Sequence, residues 1–544
     1  MRGKKIIFPV VSILLTMISD LSFSQRANNV SSKIDSGDLE AYVSFLASSL
    51  MKGRSNGEPE LDIAVNFLAA QAKLLGLKPA NGMSFMQPYT IMQKSIDPEK
   101  SVITIIDNNK DSVLIKDPMI QLFPLGASEF EVEGEVVFAG YGIKADKYNY
   151  NDLENISAEG KILLIMSRSP LSEDGKKYLF EEPMWSTFMS IQAKLTNLIF
   201  SKAKAILIVS DPKSGHSSFE NQYPGISHEL KYSKYLKGSK PMTIDMPGMP
   251  KIIFVHRSVA DGLLKGTGHT LDELQSSIDL NLKSQSFLIQ DKILKIKEVS
   301  MIGEIILNNV AAWIEGSDPV LKKEFVVFSG HADHVGGEGD RINAGADDNA
   351  SGCAAILEIA QAFQSLDKKP LRSLLFLWVT GEEIGLYGSQ SYVSNPLFPL
   401  ENTVADLNMD MIGRIKGVAD TTDETPMSDK STVFVISCNQ SKELIAIADD
   451  TDKKSPLNLD YSLSGKNSPL QLFSRSDHYN FVKKDIPVLF FTTGLHSDYH
   501  KPTDTIEKID FEKMELIARM VFDIGYTVAN KKTRIVIDNP FSKW

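Results

Sequence analysis

Three short stretches of the chain place ionisable side chains directly after apolar runs. They are, in order, Gly330-His331-Ala332-Asp333, Gly381-Glu382-Glu383 and Asn408-Met409-Asp410. The residues before them, 325–328, 374–379 and 404–407, are largely apolar, which is typical of buried strands. Because ligands bind at the strand ends of open α/β sheets, we expect these side chains to share one site.

Two further segments complete this group of side chains. Residues 343–352 read Asn-Ala-Gly-Ala-Asp-Asp-Asn-Ala-Ser-Gly, and His500 opens the segment His-Lys-Pro-Thr-Asp-Thr. Together the segments supply the His, Asp and Glu side chains that a two-metal hydrolytic centre requires, including a base of its own. Two zinc ions about 3.5–4 Å apart, sharing a carboxylate and a water, polarise a carbonyl and generate hydroxide. The sequence therefore predicts a site for two divalent metal ions, with zinc as the expected metal.

The residue types suggest which side chain binds which metal. Asp347 is the predicted bridge, because a turn that leads into a helix aims a short side chain into the cleft. His331 and Asp410 are predicted to complete one metal site, and Glu383 and His500 the other.

Two further carboxylates have predicted supporting roles. Glu382, the neighbour of a ligand, is the expected general base that takes a proton from the bridging water and passes it to the leaving amine. Asp333, two residues from His331, is expected to hold the second ring nitrogen of that histidine.

The pattern of elements indicates an α/β fold with an insertion. From Ile302 to about Asn530 strands alternate with helices, which predicts a mostly parallel sheet covered by helices on both faces. Residues 25–100 contain two amphipathic helices and are assigned to the same domain as residues 291–530, whose first residues, 291–298, are expected to form a charged linker. Residues 101–290 contain short β-like runs and are predicted to be an inserted β-rich domain. Residues 531–544 are predicted to be a C-terminal tail.

The N-terminus predicts export. A basic start and a short apolar run indicate a signal peptide over residues 1–24 with cleavage near Ser24, and therefore a secreted or periplasmic protein without stable membrane insertion. The formal net charge of −11 makes nucleic acid an improbable partner. Cys353 and Cys438 are the two cysteines; packing is their expected use, and a disulfide between them stays open. Oligomeric state is not predicted.

The motifs resemble, in chain order, those of the M28 peptidases, which are co-catalytic zinc aminopeptidases. They are His331-Ala-Asp333-His-Val-Gly, Asn343-Ala-Gly-Ala-Asp347-Asp348-Asn-Ala-Ser-Gly, Glu382-Glu383-Ile-Gly-Leu-Tyr-Gly-Ser389, Asn408-Met-Asp410-Met-Ile-Gly413-Arg414, Ser476-Asp477-His478 and His500-Lys-Pro-Thr-Asp504-Thr505. The resemblance implies a zinc-exopeptidase-like mixed sheet, the five ligands and the base named above, and peptide N-termini as substrate. It also implies a cis peptide bond between Asp347 and Asp348, and it favours His500 over His496 as a ligand. The inserted stretch is similar to a protease-associated (PA) domain, with Phe138-Ala-Gly-Tyr-Gly-Ile143 as its best marker.

One position departs from the family pattern. Some relatives carry a Tyr three residues before the Ser-Asp-His motif, where its hydroxyl steadies the tetrahedral intermediate; here Phe473 takes that place. Arg475 is the candidate for an oxyanion or substrate contact instead.

Three alternatives to an aminopeptidase stay open. A glutaminyl cyclase-like acyltransferase would use a single zinc held by Asp347, Glu383 and His500, and retention of His331 and Asp410 argues against it. A carboxypeptidase would use the same centre. A binding protein that has lost its metal ligands is disfavoured, because all the expected ligands are present.

Overall fold

The protein is described here from a computed structural model, which defines residues 30–107, 112–115, 120–122, 129–180, 191–223, 233–239, 248–337, 339, 341–417, 426–453, 455–465 and 470–543. The predicted signal peptide and its cleavage point at Ser24 lie outside these residues. The α-helices of this part of the chain are α1 Ser36–Leu46, α2 Pro59–Leu74, α3 Ile191–Leu198, α4 Phe219–Gln222, α5 Arg257–Leu264, α6 Leu271–Asn281, α7 Gly352–Gln364, α8 Tyr387–Ser394, α9 Lys442–Asp452, α10 His478–Val482 and α11 Phe511–Asn530.

The strands of the same residues follow in chain order. They are β1 Lys78–Pro79, β2 Met86–Ile96, β3 Val102–Asp107, β4 Ser112–Ile115, β5 Ile120–Leu122, β6 Phe130–Phe138, β7 Lys144–Ala145, β8 Tyr150–Asn151, β9 Ile162–Met166, β10 Ala205–Val209, β11 Ser233–Leu236, β12 Lys251–Val255, β13 Phe287–Glu298, β14 Ser300–Ile314, β15 Phe325–His331, β16 Ser373–Val379, β17 Thr403–Met409, β18 Thr432–Ile436, β19 Asn458–Asp460 and β20 Val488–Thr492.

The chain divides into two compact units. Among the described residues, the first unit contains those up to Ile91 and those from Ile305 onward, and the second unit contains those between Met92 and Glu304. The second unit is wider than the expected insertion at 101–290, because β13 is continuous through residue 290 and pairs with both β3 and β6. The charged stretch 291–298, expected to be a linker, is therefore strand: Lys295 and Lys297 alternate with the buried residues Leu294 and Ile296.

The first unit is built on a mixed sheet in the order β2-β14-β16-β15-β17-β20-β18-β19. Its centre is parallel, since β15 pairs in parallel with β16 and β17, and β17 with β20, whereas β14 and β18 are antiparallel to their neighbours β16 and β20. Every residue of β15, β16 and β17 is buried. The apolar runs of β15 and β16 predict this burial, whereas β17 also buries the polar side chains of Asp406 and Asn408.

Helices cover both faces of this sheet. On one face Phe328 packs against Phe363 of α7, which in turn lies 4.3 Å, ring centroid to ring centroid, from Phe522 of α11. On the other face Leu375 and Leu377 belong to a core cluster shared with α8 and α10. The predicted α/β class, with a mostly parallel sheet between helices, is confirmed.

The second unit has its own sheet, in the order β4-β3-β13-β6-β9-β10-β12-β5, and separate hydrophobic clusters. A turn after β6 is organised by Asp152, whose carboxylate accepts the backbone N–H groups of Tyr141 and Ile143 and the hydroxyl of Tyr150. Gly140 is required in this turn, because a Cβ there would lie 2.2 Å from the Asp152 carboxylate.

The remaining expectations concern the tail, the cysteines and the membrane. The tail from 531 packs on the first unit, where Arg534 donates to the carbonyl of Thr403 and Asp538 N–H to that of Gln440. Cys353 and Cys438 are both buried and free, so they do not form the disulfide that the sequence left open. Among the helices that the structure describes, none has the length and apolar character needed to span a bilayer.

Candidate metal centre

Strand register brings the predicted side chains to one edge of the first unit's sheet. His331 ends β15 and is paired with Val379, the last residue of β16, and Glu382 follows three residues later. Asp410 comes directly after β17, the other neighbour of β15. Because the three strands are parallel, their carboxyl ends meet at the same edge, as predicted.

Two clusters of potential metal ligands form at this edge. His331 Nε2 lies 3.2 Å from Asp410 Oδ1, and Glu382 completes this cluster. His500 Nε2 lies 3.0 Å from Glu383 Oε2 in the second cluster. Five of the six side chains assigned to metal binding and catalysis are thus brought together.

Asp348, rather than Asp347, joins the two clusters. Its Oδ1 lies 3.3 Å from His331 Nε2 and its Oδ2 lies 3.2 Å from His500 Nε2, so one carboxylate offers an oxygen to each cluster. This is the geometry expected of a bridging ligand.

The prediction that Asp347 is the bridging ligand is wrong in this structure. Oδ1 of Asp347 accepts the backbone N–H of Gly413 at 2.6 Å, and its Oδ2 lies 3.4 Å from His496 Nε2. The two aspartates lie in an irregular, kinked turn, Ala346–Ser351, where Asp348 has non-helical backbone angles that give the neighbouring side chains different directions. The cis peptide bond also differs from the expected one, because it joins Asp348 to Asn349.

His334 is a member of the second cluster that the sequence analysis did not assign. Its Nδ1 lies 2.7 Å from Glu383 Oε1 and 3.6 Å from Asp348 Oδ2, and its ring is buried. Its position three residues after His331, on the loop that leaves the same strand, is the sequence signal that could have identified it.

Asp333 supports the site differently from the prediction. Its backbone carbonyl, not its carboxylate, lies 3.1 Å from His331 Nδ1, while Oδ1 is 3.8 Å away. The carboxylate instead accepts the backbone N–H groups of Glu382 and Glu383 and the side-chain amide of Asn56 at 2.6 Å. The Asp333 carboxylate therefore positions Glu382 and Glu383, because the backbone N–H groups of these two residues lie within hydrogen-bonding distance of it.

Arg54, from the start of the first unit, connects the ligand-bearing loops. Its buried guanidinium donates to the carbonyls of Ala332, Ala344 and Gly345 at 2.8–3.0 Å. One side chain thus joins the loop after β15, which carries His331 and His334, to the turn that carries Asp348.

The charges of the site fit bound cations. Four carboxylates converge here, those of Asp348, Glu382, Glu383 and Asp410, and burying unpaired charges at this density is costly. Although burial by itself lowers it, the carboxylates of Glu383 and Asp348 raise the pKa of His500 to about 11. His500 Nε2 is buried beside both carboxylates, yet it makes no hydrogen bond of good geometry within the described chain. His, Asp and Glu donors aimed at a common point are the ligand set that zinc takes in catalytic sites.

A cavity opens beside the two clusters. Its wall is formed by Asp348, Glu382, Asp410, Met411, Leu472, Arg475, Phe490, Thr492, Leu495 and Tyr499. Tyr499 stacks on His500 at 3.8 Å, ring centroid to ring centroid, and its hydroxyl lies 3.4 Å from Nη2 of the exposed Arg475. Tyr499 is a second residue that the sequence analysis missed, although it directly precedes the predicted ligand His500.

The fold and this site together define an α/β protein with a two-cluster, metal-ligating centre at the strand ends of its sheet. Residues 309–524, less than half of the chain, match the family model of Peptidase family M28.

Comparison with individual proteins gives partial matches. A probable leucine aminopeptidase of Trichophyton verrucosum is 31% identical over 221 residues, which cover 39% of this chain and 56% of the relative. Leucine aminopeptidase 1 of Trichophyton equinum is 28% identical over 233 residues, 41% of this chain and 59% of the relative. The solved structure of an aminopeptidase from Aneurinibacillus sp. strain AM-1 is 19% identical, with 94% of this chain and 98% of that chain covered and a TM-score of 0.49. The chain thus spans little more than half the length of the curated relatives it matches.

Proposed function

We propose that this chain is a metal-dependent aminopeptidase that removes N-terminal residues from peptides. The observation that carries the proposal is Asp348, whose two oxygens face His331 and His500 in two separate ligand clusters. His331, Asp348 and Asp410 would hold one metal ion. Asp348, Glu383 and His500, with His334 beside them, would hold the other. When bound, the two ions would polarise the scissile carbonyl and lower the pKa of a water molecule.

The chain's own residues would handle the proton and the developing charge. Glu382 lies at the cavity wall, next in sequence to a ligand, and would take the proton from the attacking water and give it to the leaving amine. Burial raises the pKa of Glu382, and the nearby carboxylates Glu383 and Asp410 add to the effect. A bound cation would oppose this shift and keep Glu382 ionised as a base.

The cavity wall also supports a substrate class. Met411, Leu472 and Phe490 present apolar surface next to Asp348 and Asp410. A substrate whose first residue is apolar and of medium size would bury its side chain there. The names of the two fungal relatives agree with leucine as such a residue.

The test compares aminoacyl p-nitroanilides with free and acetylated amino groups, using enzyme supplied with zinc. We expect cleavage of the leucine substrate, loss of cleavage on acetylation, and loss on treatment with a chelator. Glu382→Gln should retain both metals and lose at least about a thousandfold in kcat, since it removes the general base. Glu401→Gln, an exposed position, is the matched control and should behave like the wild type. Full activity in the Glu382 variant would show that Glu382 is not the general base.

Two other activities are outcomes of the same experiment. Arg475 at the cavity wall is a cation that could hold the α-carboxylate of a carboxypeptidase substrate. Cleavage of N-blocked peptides from their C-terminal end would select that activity. One zinc per chain, together with cyclisation of N-terminal glutamine, would select a glutaminyl cyclase.

We also propose that the second unit is a PA-like module and that the protein is exported. The Asp152-centred turn, which contains the marker residues Gly140 and Tyr141, supports the first proposal. The basic and apolar N-terminal sequence supports the second. N-terminal sequencing of the mature protein tests export: a start beyond about residue 24 is expected, and an intact Met1 in a periplasmic or culture fraction would contradict cleavage.

A further inference from the structure

A chain of buried polar side chains runs beneath the proposed metal centre, between β15, β17 and the segment before α10. Its members, all buried, are Asp406, Ser329, Asn408 and Ser476. Ser329 Oγ lies 2.7 Å from Asp406 Oδ1 and 2.9 Å from Asn408 Oδ1. The side-chain amide of Asn408 donates to Ser476 Oγ at 3.1 Å, and Ser476 in turn lies near enough to the carboxylate of Asp410 to lower its pKa against the rise that burial causes. Asp406 has an ionisable side chain, yet it has no role in the proposed mechanism.

The hydrogens of this chain can be counted from the amide of Asn408. Its nitrogen donates to Ser476 Oγ, so its oxygen faces Ser329 and can only accept a hydrogen there. Ser329 must therefore donate its single hydroxyl hydrogen to the amide oxygen of Asn408. The 2.7 Å contact between Ser329 Oγ and Asp406 Oδ1 therefore needs a hydrogen from Asp406.

We propose that Asp406 is a protonated carboxylic acid in the folded enzyme, and that its hydrogen sets the direction of a hydrogen-bond chain, Asp406 to Ser329 to Asn408 to Ser476, that holds the metal ligand Asp410. Asp406 is thus a positioning residue and not a catalytic one. The role toward Asp410 rests on the proposed function, whereas the proton on Asp406 does not.

The surroundings of Asp406 favour the neutral acid. It is fully buried, and among the residues that the structure describes its Oδ2 has no hydrogen-bond partner, which would be costly for an ionised carboxylate. Two titratable groups face it from other elements: Tyr392 of α8 and Asp477, itself a buried carboxyl group. Neither is a cation. Burial raises the pKa of Asp406 to about 8, and Asp477 adds to the increase.

The first test is infrared difference spectroscopy of the full-length, metal-free enzyme at neutral pH. Subtracting the spectrum of Asp406→Asn from that of the wild type should reveal the C=O stretch of a protonated carboxylic acid, with the small shift in D₂O that such a group shows. The control is Asp272→Asn, at an exposed position, which should remove only a carboxylate signal. A difference spectrum for Asp406 that shows carboxylate bands alone would overturn the proposal.

The second test measures zinc affinity by competition with a chromogenic chelator. Asp406→Asn offers an N–H to Ser329 in place of the acid hydrogen, so it should bind zinc within a few-fold of the wild type. Asp406→Ala and Ser329→Ala interrupt the chain and should weaken binding about 10–100-fold. Wild-type affinity in both alanine variants would contradict the positioning role. Failure of the wild type to bind zinc would instead contradict the proposed function. The infrared result would still show whether Asp406 is protonated.

Discussion

At the scale of single residues, Asp347 and Asp348 are neighbours in the chain but serve different parts of the site. Asp348 faces the histidines of both clusters, whereas Asp347 accepts a backbone N–H from Gly413. Asp348→Asn should therefore abolish the binding of at least one metal ion and reduce kcat by at least about a thousandfold, because the shared ligand is lost.

Asp347→Asn is the matched control for that change. It keeps an oxygen for Gly413 and leaves both clusters intact, so metal content measured by atomic emission should stay near the wild-type value. Loss of metal from the Asp347 variant, with retention of metal in the Asp348 variant, would show that Asp347 is the bridging ligand.

Tyr499 is the residue that we expect to replace the missing tyrosine at position 473. Tyr499 lines the cavity together with Asp348 and Glu382, and burial together with the nearby carboxylates raises the pKa of its hydroxyl well above the ordinary value. The hydroxyl therefore stays protonated and able to donate to an oxyanion. Tyr499→Phe should lower kcat about 100-fold and change KM little.

Arg475 is the alternative donor and provides the comparison. Its guanidinium is exposed and lies against Tyr499, so Arg475→Gln should have a smaller effect on kcat than Tyr499→Phe. A larger loss of kcat in the Arg475 variant would assign the oxyanion contact to Arg475, as the sequence alone suggested.

At the scale of elements, the strands were the most predictable part of the site. Continuous apolar runs identified β15 and β16, and the ligands that follow directly from a strand end, such as His331 and Asp410, lie where strand polarity puts them. The residues that were missed or misplaced lie in loops and turns. Asp348 depends on the backbone angles of one irregular turn, and His334 and Tyr499 depend on loop paths that no periodicity encodes.

Long-range support for the loops was also beyond the reach of a sequence pattern. Arg54 and Asn56 come from the segment between α1 and α2, yet they hold loops some 280 residues later in the chain. Both bonds go to groups of the ligand loops, the Ala332 carbonyl and the Asp333 carboxylate. Such contacts arise only when the opening helices pack on the completed sheet.

The short helix α10 contains a histidine whose burial predicts a pH effect on stability. His478 is buried, its Nε2 donates to the carbonyl of Phe473, and burial lowers its pKa to about 3. In the unfolded chain the pKa is about 6.5, so the unfolded state binds a proton that the folded protein excludes. The neutral, buried His478 therefore contributes fully to the free energy of unfolding above about pH 6.5, and this contribution is lost as the pH falls toward 3.

The loss at pH 5 amounts to about 2 kcal/mol for this one group. His478→Gln, which keeps a donor for Phe473, should remove that part of the acid destabilisation of the metal-free enzyme. Urea unfolding at pH 7.5 and pH 5 measures it as a smaller change in the free energy of unfolding for the variant. An unchanged pH dependence would show that His478 is protonated in the folded state.

At the scale of the whole molecule, each unit is built around a different sheet and different hydrophobic clusters, and every proposed metal ligand lies in the first unit. A ligand that binds only the folded form stabilises by RT ln(1 + [L]/Kd), which is about 2.7 kcal/mol at a hundredfold excess over Kd. Zinc should therefore raise the unfolding temperature of the first unit by several degrees, and chelation should lower it, while the second unit responds little.

Differential scanning calorimetry separates these responses. We expect a heat-capacity trace with two transitions, of which zinc moves one. Asp348→Asn assigns the moving transition to the first unit, because that variant should lose the zinc response and keep the other transition in place. The same titration fixes the number of ions, since the midpoint shift should saturate at two equivalents per chain if both clusters fill. A single transition that zinc shifts as a whole would show that the two units unfold as one cooperative body, and a response in the Asp348 variant equal to that of the wild type would place the stabilising zinc outside the proposed centre.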